Sequence, residues 1–248
     1  MGGVGLGWWH LFGTSIPAAQ FVGAAISTWQ AEHGVAEVPA TVEPAHWRTD
    51  FAALDAVTQQ VPLKDGQTWG LLHVPSWAAR GRATMPIKAG VSDSVLATGA
   101  AGWYPETAKP GQLGNFALAA HRRTRGNSFR HTIDLVPGDD FVVVEQGAAW
   151  MKFTISAQRI VAATEDQVLL PVPGIPGAEA SERLITLTTC GDANGGQWGN
   201  THRVITHGVL TGWLPRLAEH PGSRSPPPSG AALPTGGAAT PQVPVGVG

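Results

Sequence analysis

The chain is poor in charge, has one cysteine and contains no long apolar run, and each shortage closes off a class of protein. Charged residues make up 14% of the 248 positions and the formal net charge is −2. No basic field is present to grip a phosphate backbone, so nucleic acid is not an expected partner. A single cysteine excludes an intrachain disulfide framework and a cysteine-based zinc site. Acidic residues are too scattered to assign a calcium site, and neither a metal nor a cofactor is expected. No stretch of about 18 unbroken apolar residues occurs, and the start lacks the basic region of a signal peptide.

What is present favours β structure. The chain carries 32 glycines and 20 prolines among clusters of Val, Ile and Thr, a turn-rich composition. Residues 1–30 are apolar and Gly-rich, with Trp8, Trp9, Phe12, Phe21 and Trp29, but His10, Pro17 and Gln20 interrupt them. This segment reads either as a membrane-anchor remnant that associates with the interface through its aromatics, or as a short amphipathic helix. Residues 31–66 read as a connector with one helical piece, Trp47 to Gln60, where Phe51, Leu54 and Val57 recur at helical spacing. Short β-like runs then follow over 67–216: Trp69 to Val74, Ala83 to Lys88, Phe116 to Ala120, Phe141 to Val144, Trp150 to Ile155, Arg159 to Ala162, Leu184 to Thr189 and Arg203 to Leu210. No long helix separates them, which predicts an all-β fold, a closed antiparallel barrel of about eight strands with short helices. The Pro/Gly-rich tail, 217–248, has almost no apolar bulk and is expected to be disordered.

The run Leu-Ile-Thr-Leu-Thr-Thr-Cys, residues 184–190, alternates branched apolar residues with threonines and delivers the only thiol to a polar, Gly-rich loop. A thiol at the mouth of a strand is where a nucleophile is presented, although a lone cysteine is more often a small core residue. Cysteine chemistry needs a base or imidazolium near sulfur and a donor for the oxyanion. Ala-Leu-Ala-Ala-His, ending at His121, is a second apolar strand that stops at a reactive side chain, followed by Arg122, Arg123 and Arg125 in a basic, Gly-terminated loop. Across the loop from Cys190, Arg203 begins a third strand, where its forked and permanent charge can hold an oxyanion or act as a solvated rim charge. His202 and His207 compete with His121; five residues apart on a strand, they face opposite sides and cannot share one site.

These residues resemble the sortases, cysteine transpeptidases of Gram-positive cell surfaces, and most of all the class E type of actinobacteria. Thr186-Leu187-Thr188-Thr189-Cys190 has the form of the family's Thr-Leu-x-Thr-Cys signature. Ala120-His121-Arg122 with Thr124, Gly126, Phe129 and Leu-Val-Pro-Gly-Asp at 135–139 is similar to the histidine segment. Gly102-Trp103-Tyr104-Pro105 is similar to its approach, and Arg203 with Val-Ile-Thr-His-Gly-Val-Leu fits the arginine strand. The resemblance covers residues 68–212. The chain departs from it in three places: Ala120 stands where glycine is frequent, no clear N-terminal membrane helix precedes the domain, and the loop after Cys190 is longer and expected to be mobile.

The resemblance implies a sortase-type barrel with Cys190, His121 and Arg203 as catalytic residues and Thr189 in support, orienting Arg203 or substrate. It implies cleavage of a Leu-Pro/Ala-x-Thr-Gly-like signal between Thr and Gly through a thioester on Cys190, then transfer to an amine of peptidoglycan or pilin. The implied partners are surface proteins with a C-terminal sorting signal, and the implied location is the outer face of the cell membrane. An unperturbed thiol is only about 3% thiolate at pH 7, so such a site needs activation, which an imidazolium supplies. Two rival readings stay open: a cysteine peptidase that passes the thioester to water, and a catalytically idle module that grips an extended peptide. Leu233-Pro234-Thr235-Gly236 in the tail is similar to a sorting signal but lacks the residue between proline and threonine.

Overall fold

Period-two alternation closes into a barrel in the computed structural model, which describes residues 15–58 and 62–216. The first part of the apolar N-terminal segment, residues 1–14, and the tail 217–248 with its Leu-Pro-Thr-Gly string lie outside the described residues. Eight strands build the barrel: β1 Thr68–His73, β2 Thr84–Ala89, β3 Ala101–Trp103, β4 Gly114–Ala119, β5 Phe141–Gln146, β6 Ala149–Ala162, β7 Arg183–Gly191 and β8 His202–Pro215. They close in the order β1-β2-β3-β4-β7-β8-β6-β5.

The barrel is mixed where the sequence predicted antiparallel pairing throughout. β2 runs parallel to β3, and β4 runs parallel to β7. Parallel neighbours require crossover connections, here the segment holding helix α3, Asp93–Leu96, and the β5-β6 hairpin with the long loop after it. The strand count agrees with the expectation for a compensating reason. The two runs expected at Trp150 to Ile155 and Arg159 to Ala162 are one strand, β6, whose register shifts between Ile155 and Ala157, so that a bulge carries the chain through. β3 was not foreseen; three residues around Gly102 offer no alternation to read. Glycine is needed there, because a Cβ on Gly102 would stand 2.5 Å from the Gly90 carbonyl oxygen and 2.7 Å from Leu96 Cδ2.

Inward-facing side chains fill the barrel. Leu72, Met85, Ile87, Phe116, Leu118, Val142, Val144, Met151, Phe153, Ile185 and Leu187 belong to one buried cluster. Trp69 meets Trp103 and Phe116 edge-on, with ring centroids 5.2 and 6.0 Å apart, the arrangement that ring quadrupoles favour. Helix α2, Phe51–Val57, lies within the predicted helical piece and inserts Leu54 into this core. Arg183 holds α2 against the barrel through both oxygens of Asp55, at 2.7 and 2.8 Å.

Ser15–His33 forms helix α1, which stops where Gly34 turns left-handed at φ +80°. Ala18, Val22 and Trp29 are its buried residues, spaced to share one face. This part of the apolar segment therefore has a place against the barrel wall. Among the described residues, no helix is long and apolar enough to cross a membrane. Trp29 reaches a buried polar knot: Glu145 accepts from Trp29 Nε1 at 3.0 Å and Arg216 Nε at 2.7 Å, and its other oxygen bonds His73 Nε2 at 2.9 Å. Arg216 also donates to the carbonyls of His33 and Gly34. One carboxylate thus joins the N-terminal helix, β1, β5 and the residue that follows β8.

Candidate active site

Strand direction brings the three candidate residues to one rim. β1 is antiparallel to β2, β2 is parallel to β3 and β3 is antiparallel to β4, so β1 and β4 run the same way, and β7 follows β4. The C-terminal ends of these three strands share a rim with the start of β8. A cavity of about 460 Å³ lined by Trp29, Thr68, Trp69 and Gly147 opens at the opposite end, away from the candidates.

Alternation decides which way the candidates face. Phe116, Leu118 and Ala120 belong to the core, so His121 is on the outward side. On β7, Ile185 and Leu187 are in the core, which turns Thr186, Thr188 and Cys190 outward. Ala119 pairs with Thr188, and the ladder continues as Ala120 N donates to the Thr188 carbonyl at 3.3 Å. Extended two residues past its last pair, the same register would set His121 beside Cys190. On the other flank Cys190 pairs directly with Arg203, which places both residues on one face of the β7-β8 ladder. Cys190 is half-buried and free.

His121 is held by its backbone. Its carbonyl accepts from Phe129 N at 3.1 Å, and the loop between them turns through positive φ at Arg125, Gly126 and Asn127. Behind that loop, Ser128 Oγ donates to the Gly99 carbonyl at 2.5 Å, and α1 lies close enough that a Cβ on Gly99 would be 3.0 Å from Val22 Cγ2. His121 Nε2 is enclosed and has no hydrogen-bond partner among the described residues. Burial lowers the His121 pKa, repulsion from Arg125 lowers it further, and Asp93 opposes both. The resting arrangement therefore favours the neutral imidazole.

Thr189 makes a different contact from either of those expected. It faces inward, away from Arg203, and its hydroxyl donates to the Ala120 carbonyl at 2.7 Å. It fastens the residue before His121 to the residue before Cys190. Arg203 Nη1 donates to the carbonyls of Asn200 and His202, each at 3.0 Å, so the guanidinium lies back along its own loop.

Neither rival histidine shares the position of His121. His202 pairs with Gly191, one position off the Cys190–Arg203 pair, and its Nδ1 bonds Thr201 Oγ1 at 3.0 Å. His207 is on the outward face but pairs with Thr186, four residues before the thiol and so about 13 Å away along the strand. It closes a buried chain whose proton positions can be worked out. Asn115 Nδ2 donates to the carbonyls of Val168 and Leu170, so its Oδ1 accepts from the Thr186 hydroxyl at 2.7 Å. Thr186 oxygen is then the acceptor for His207 Nδ1–H at 2.9 Å. Burial first, and Arg159 second, lower the His207 pKa to about 4.

Two residues of this rim were missed by sequence reading. The loop after Cys190, expected to be mobile, is folded on itself: Asp192 Oδ1 accepts from Asn194 N and Gly196 N, both at 2.8 Å, and Asp192 N donates to the Gly196 carbonyl at 3.1 Å. Those backbone N–H groups hold the Asp192 pKa below its ordinary value. Asp-x-Asn-Gly-Gly is a legible turn signal that length alone obscured. Arg122, grouped with its neighbours as a basic loop, is instead buried and donates to the carbonyls of Cys190 and Gly196 at 3.2 and 3.3 Å.

A sortase domain model matches residues 72–211, which contain most of the barrel and all three candidates. The chain belongs to the sortase family. Among sortases it is 34% identical over 165 residues to Sortase SrtE1 of Streptomyces coelicolor, covering 64% of this chain and 45% of that protein. With Sortase SrtE2 of the same organism it shares 30% over 164 residues, 64% of this chain and 60% of the relative. The chain thus spans about half the length of the curated relatives it matches. Of solved sortases, the SrtA sortase from Actinomyces oris superposes with a TM-score of 0.62 at 37% identity, over 75% of this chain and 99% of that one. Sortase E1 from Streptomyces coelicolor, solved with a tripeptide in its active site, gives 0.55 at 33% identity, over 65% and 98%. Class E sortases are therefore among the proteins it resembles, as the cysteine, histidine and arginine segments suggested.

Proposed function

We propose that the protein is a cysteine transpeptidase acting on sorting signals at the cell surface, with Cys190 as nucleophile, His121 as acid and base, and Arg203 as oxyanion or carbonyl donor. The observation that supports this best is the strand register: Cys190 pairs with Arg203, and the β4–β7 ladder, last paired at Ala119 and Thr188, runs toward His121 at the same rim. His121 takes the thiol proton as Cys190 sulfur attacks the Thr–Gly carbonyl of a Leu-Pro/Ala-x-Thr-Gly-like peptide. The tetrahedral oxyanion collapses, the C–N bond breaks, and the imidazolium returns its proton to the departing glycine amine. A thioester remains. An acceptor amine, from peptidoglycan or pilin, loses a proton to His121, attacks the thioester and leaves a new amide and the free thiol. Arg203 must swing from the Asn200 and His202 carbonyls toward the oxyanion, and one such donor is commonly worth about 3 kcal/mol of barrier. The tripeptide in the active site of the Streptomyces coelicolor sortase supports a peptide substrate here.

The test incubates the protein with fluorogenic peptides containing Leu-Ala-x-Thr-Gly or Leu-Pro-x-Thr-Gly, with and without an oligoglycine amine, followed by intact-mass analysis. A thioester on Cys190 and an amine-dependent ligated product are expected. Cleavage with no ligation would make the protein a hydrolase, and an unchanged rate after Cys190→Ala would remove the mechanism altogether.

A further inference from the structure

We propose that Arg122 is a positioning residue of this site: its buried guanidinium ties the Cys190 carbonyl to the Gly196 carbonyl and sets a permanent positive charge behind the thiol. The inference rests on the transpeptidase reading for its purpose, but not for its geometry.

Arg122 is 4% exposed, as buried as much of the core. A guanidinium taken out of water carries a desolvation penalty of several kcal/mol unless a carboxylate or a full set of acceptors offsets it. Neither is present among the described residues. No ion pair involves Arg122, and its Nε–H is buried with no hydrogen-bond partner, so only the two carbonyls on Nη1 hold it. Both carbonyls belong to the loop that carries the thiol. One is that of Cys190 itself, and the other is the residue whose N–H closes the Asp192 turn. The approach is close: a Cβ on Gly191 would stand 3.3 Å from Arg122 Nη1 and 3.1 Å from Val204 Cγ2, so glycine next to the thiol leaves room for the guanidinium.

Fixing the Cys190 carbonyl fixes the plane of the Cys190–Gly191 peptide, and with it the direction from which the side chain leaves the strand. The charge has a second effect. Developing negative charge on sulfur lies near a cation largely withdrawn from solvent, and the charged or titratable groups around the pair are His121 from the end of β4, Arg203 on β8, Asp192 and His202 at the loop, and Arg123 and Asp134. Burial lowers the Arg122 pKa and repulsion from Arg123 adds to it, while Asp134, Asp192 and Cys190 oppose both. A nearby opposite charge favours an anion over its protonated form.

The test reads the second-order rate of Cys190 alkylation by iodoacetamide from pH 5 to pH 9, in the parent, Arg122→Met, Arg122→Gln and Arg122→Lys, with thermal unfolding of each. Alkylation needs no sorting signal, so a wrong peptide would sink the proposed function and leave this result standing. Arg122→Met is expected to stay folded and to alkylate about tenfold more slowly at pH 7, its profile displaced to higher pH, while Arg122→Lys restores most of the profile. Arg122→Gln keeps a donor for the carbonyls without the charge, and it answers the same question if the Met variant does not fold. A folded neutral variant with the parent's rate and profile, or a Lys variant as slow as the neutral ones, overturns the proposal.

Discussion

Replacing Glu145 tests whether the buried knot holds α1 and the end of β8 onto the barrel. The carboxylate is 3% exposed and accepts from Trp29, His73 and Arg216, the last itself 6% exposed. Glu145→Ala removes all three contacts and strands the Arg216 charge, for which breaking a buried pair costs about 3–5 kcal/mol. At about 2–4 °C per kcal/mol for a domain of this size, the melting temperature falls by roughly 6–20 °C. Glu145→Gln separates charge from hydrogen bonding: its oxygen still accepts from Trp29 and Arg216, and its amide turns to His73, whose ring nitrogens can exchange roles. Its cost is therefore smaller, about 1–3 kcal/mol. Acid titration supplies an internal control. Burial pushes the Glu145 pKa up, but the His73 and Trp29 hydrogen bonds and the His73 and Arg216 charges outweigh it and hold the group below its usual value. A carboxyl lowered in the fold stabilises above its unfolded value, roughly 4.3, and that stability is lost as pH falls toward the folded value. The parent shows this acid slope and Glu145→Gln lacks it. Chemical denaturation gives the free energies, and hydrogen exchange locates the loss, expected in α1 near Trp29 and His33. An alanine variant within about 1 kcal/mol of the parent would refute the reasoning.

Arg203→Lys should acylate at least tenfold more slowly than the parent in single-turnover assays, since a point charge does not reproduce the fork; equal rates would remove its role. His207 should remain neutral down to about pH 4. Its imidazole resonances should thus not move between pH 8 and pH 5.5. An unfolded histidine titrates near 6.5, so as pH falls from there toward 4 the unfolded chain binds the proton first and stability declines, by at most about 3 kcal/mol. Gly102→Ala drives a methyl into the Gly90 carbonyl and should lower stability by about 2 kcal/mol or more, measured by urea unfolding. Thr189→Val cuts the tie to Ala120 and should cost about 1–2 kcal/mol with a fall in kcat larger than any change in KM, read from peptide-cleavage kinetics.

How far the molecule was legible varied with the range of the physics. The alternation in Leu184 to Thr189 and the apolar run from Phe116 to Ala120, buried along its whole length, marked strands, and the reactive side chain at each end stood out against them. Their relative direction was not legible. Whether β4 and β7 run parallel depends on the route of the chain between them, which alternation does not record. Arg122 was obscured by its neighbours: three arginines within five residues read as one solvated patch, yet only tertiary packing distinguishes the buried one. Trp29 was visible as an aromatic but not as the partner of Glu145, since nothing local joins positions so far apart. The turn at Asp192 was readable in its residue types and was passed over for its length.

The parallel pairing of β4 with β7 also orders events in time. His121 is synthesised well before Cys190, and between them come β5, β6 and the long loop. The β4–β7 pairing closes one of the long loops of the domain, the kind of contact that forms late in folding. Arg203 arrives later still, on the last strand. A chain still emerging from the ribosome therefore carries a histidine without its thiol, then a thiol without its arginine. The set of groups that the proposed mechanism calls on is complete only when the barrel is closed.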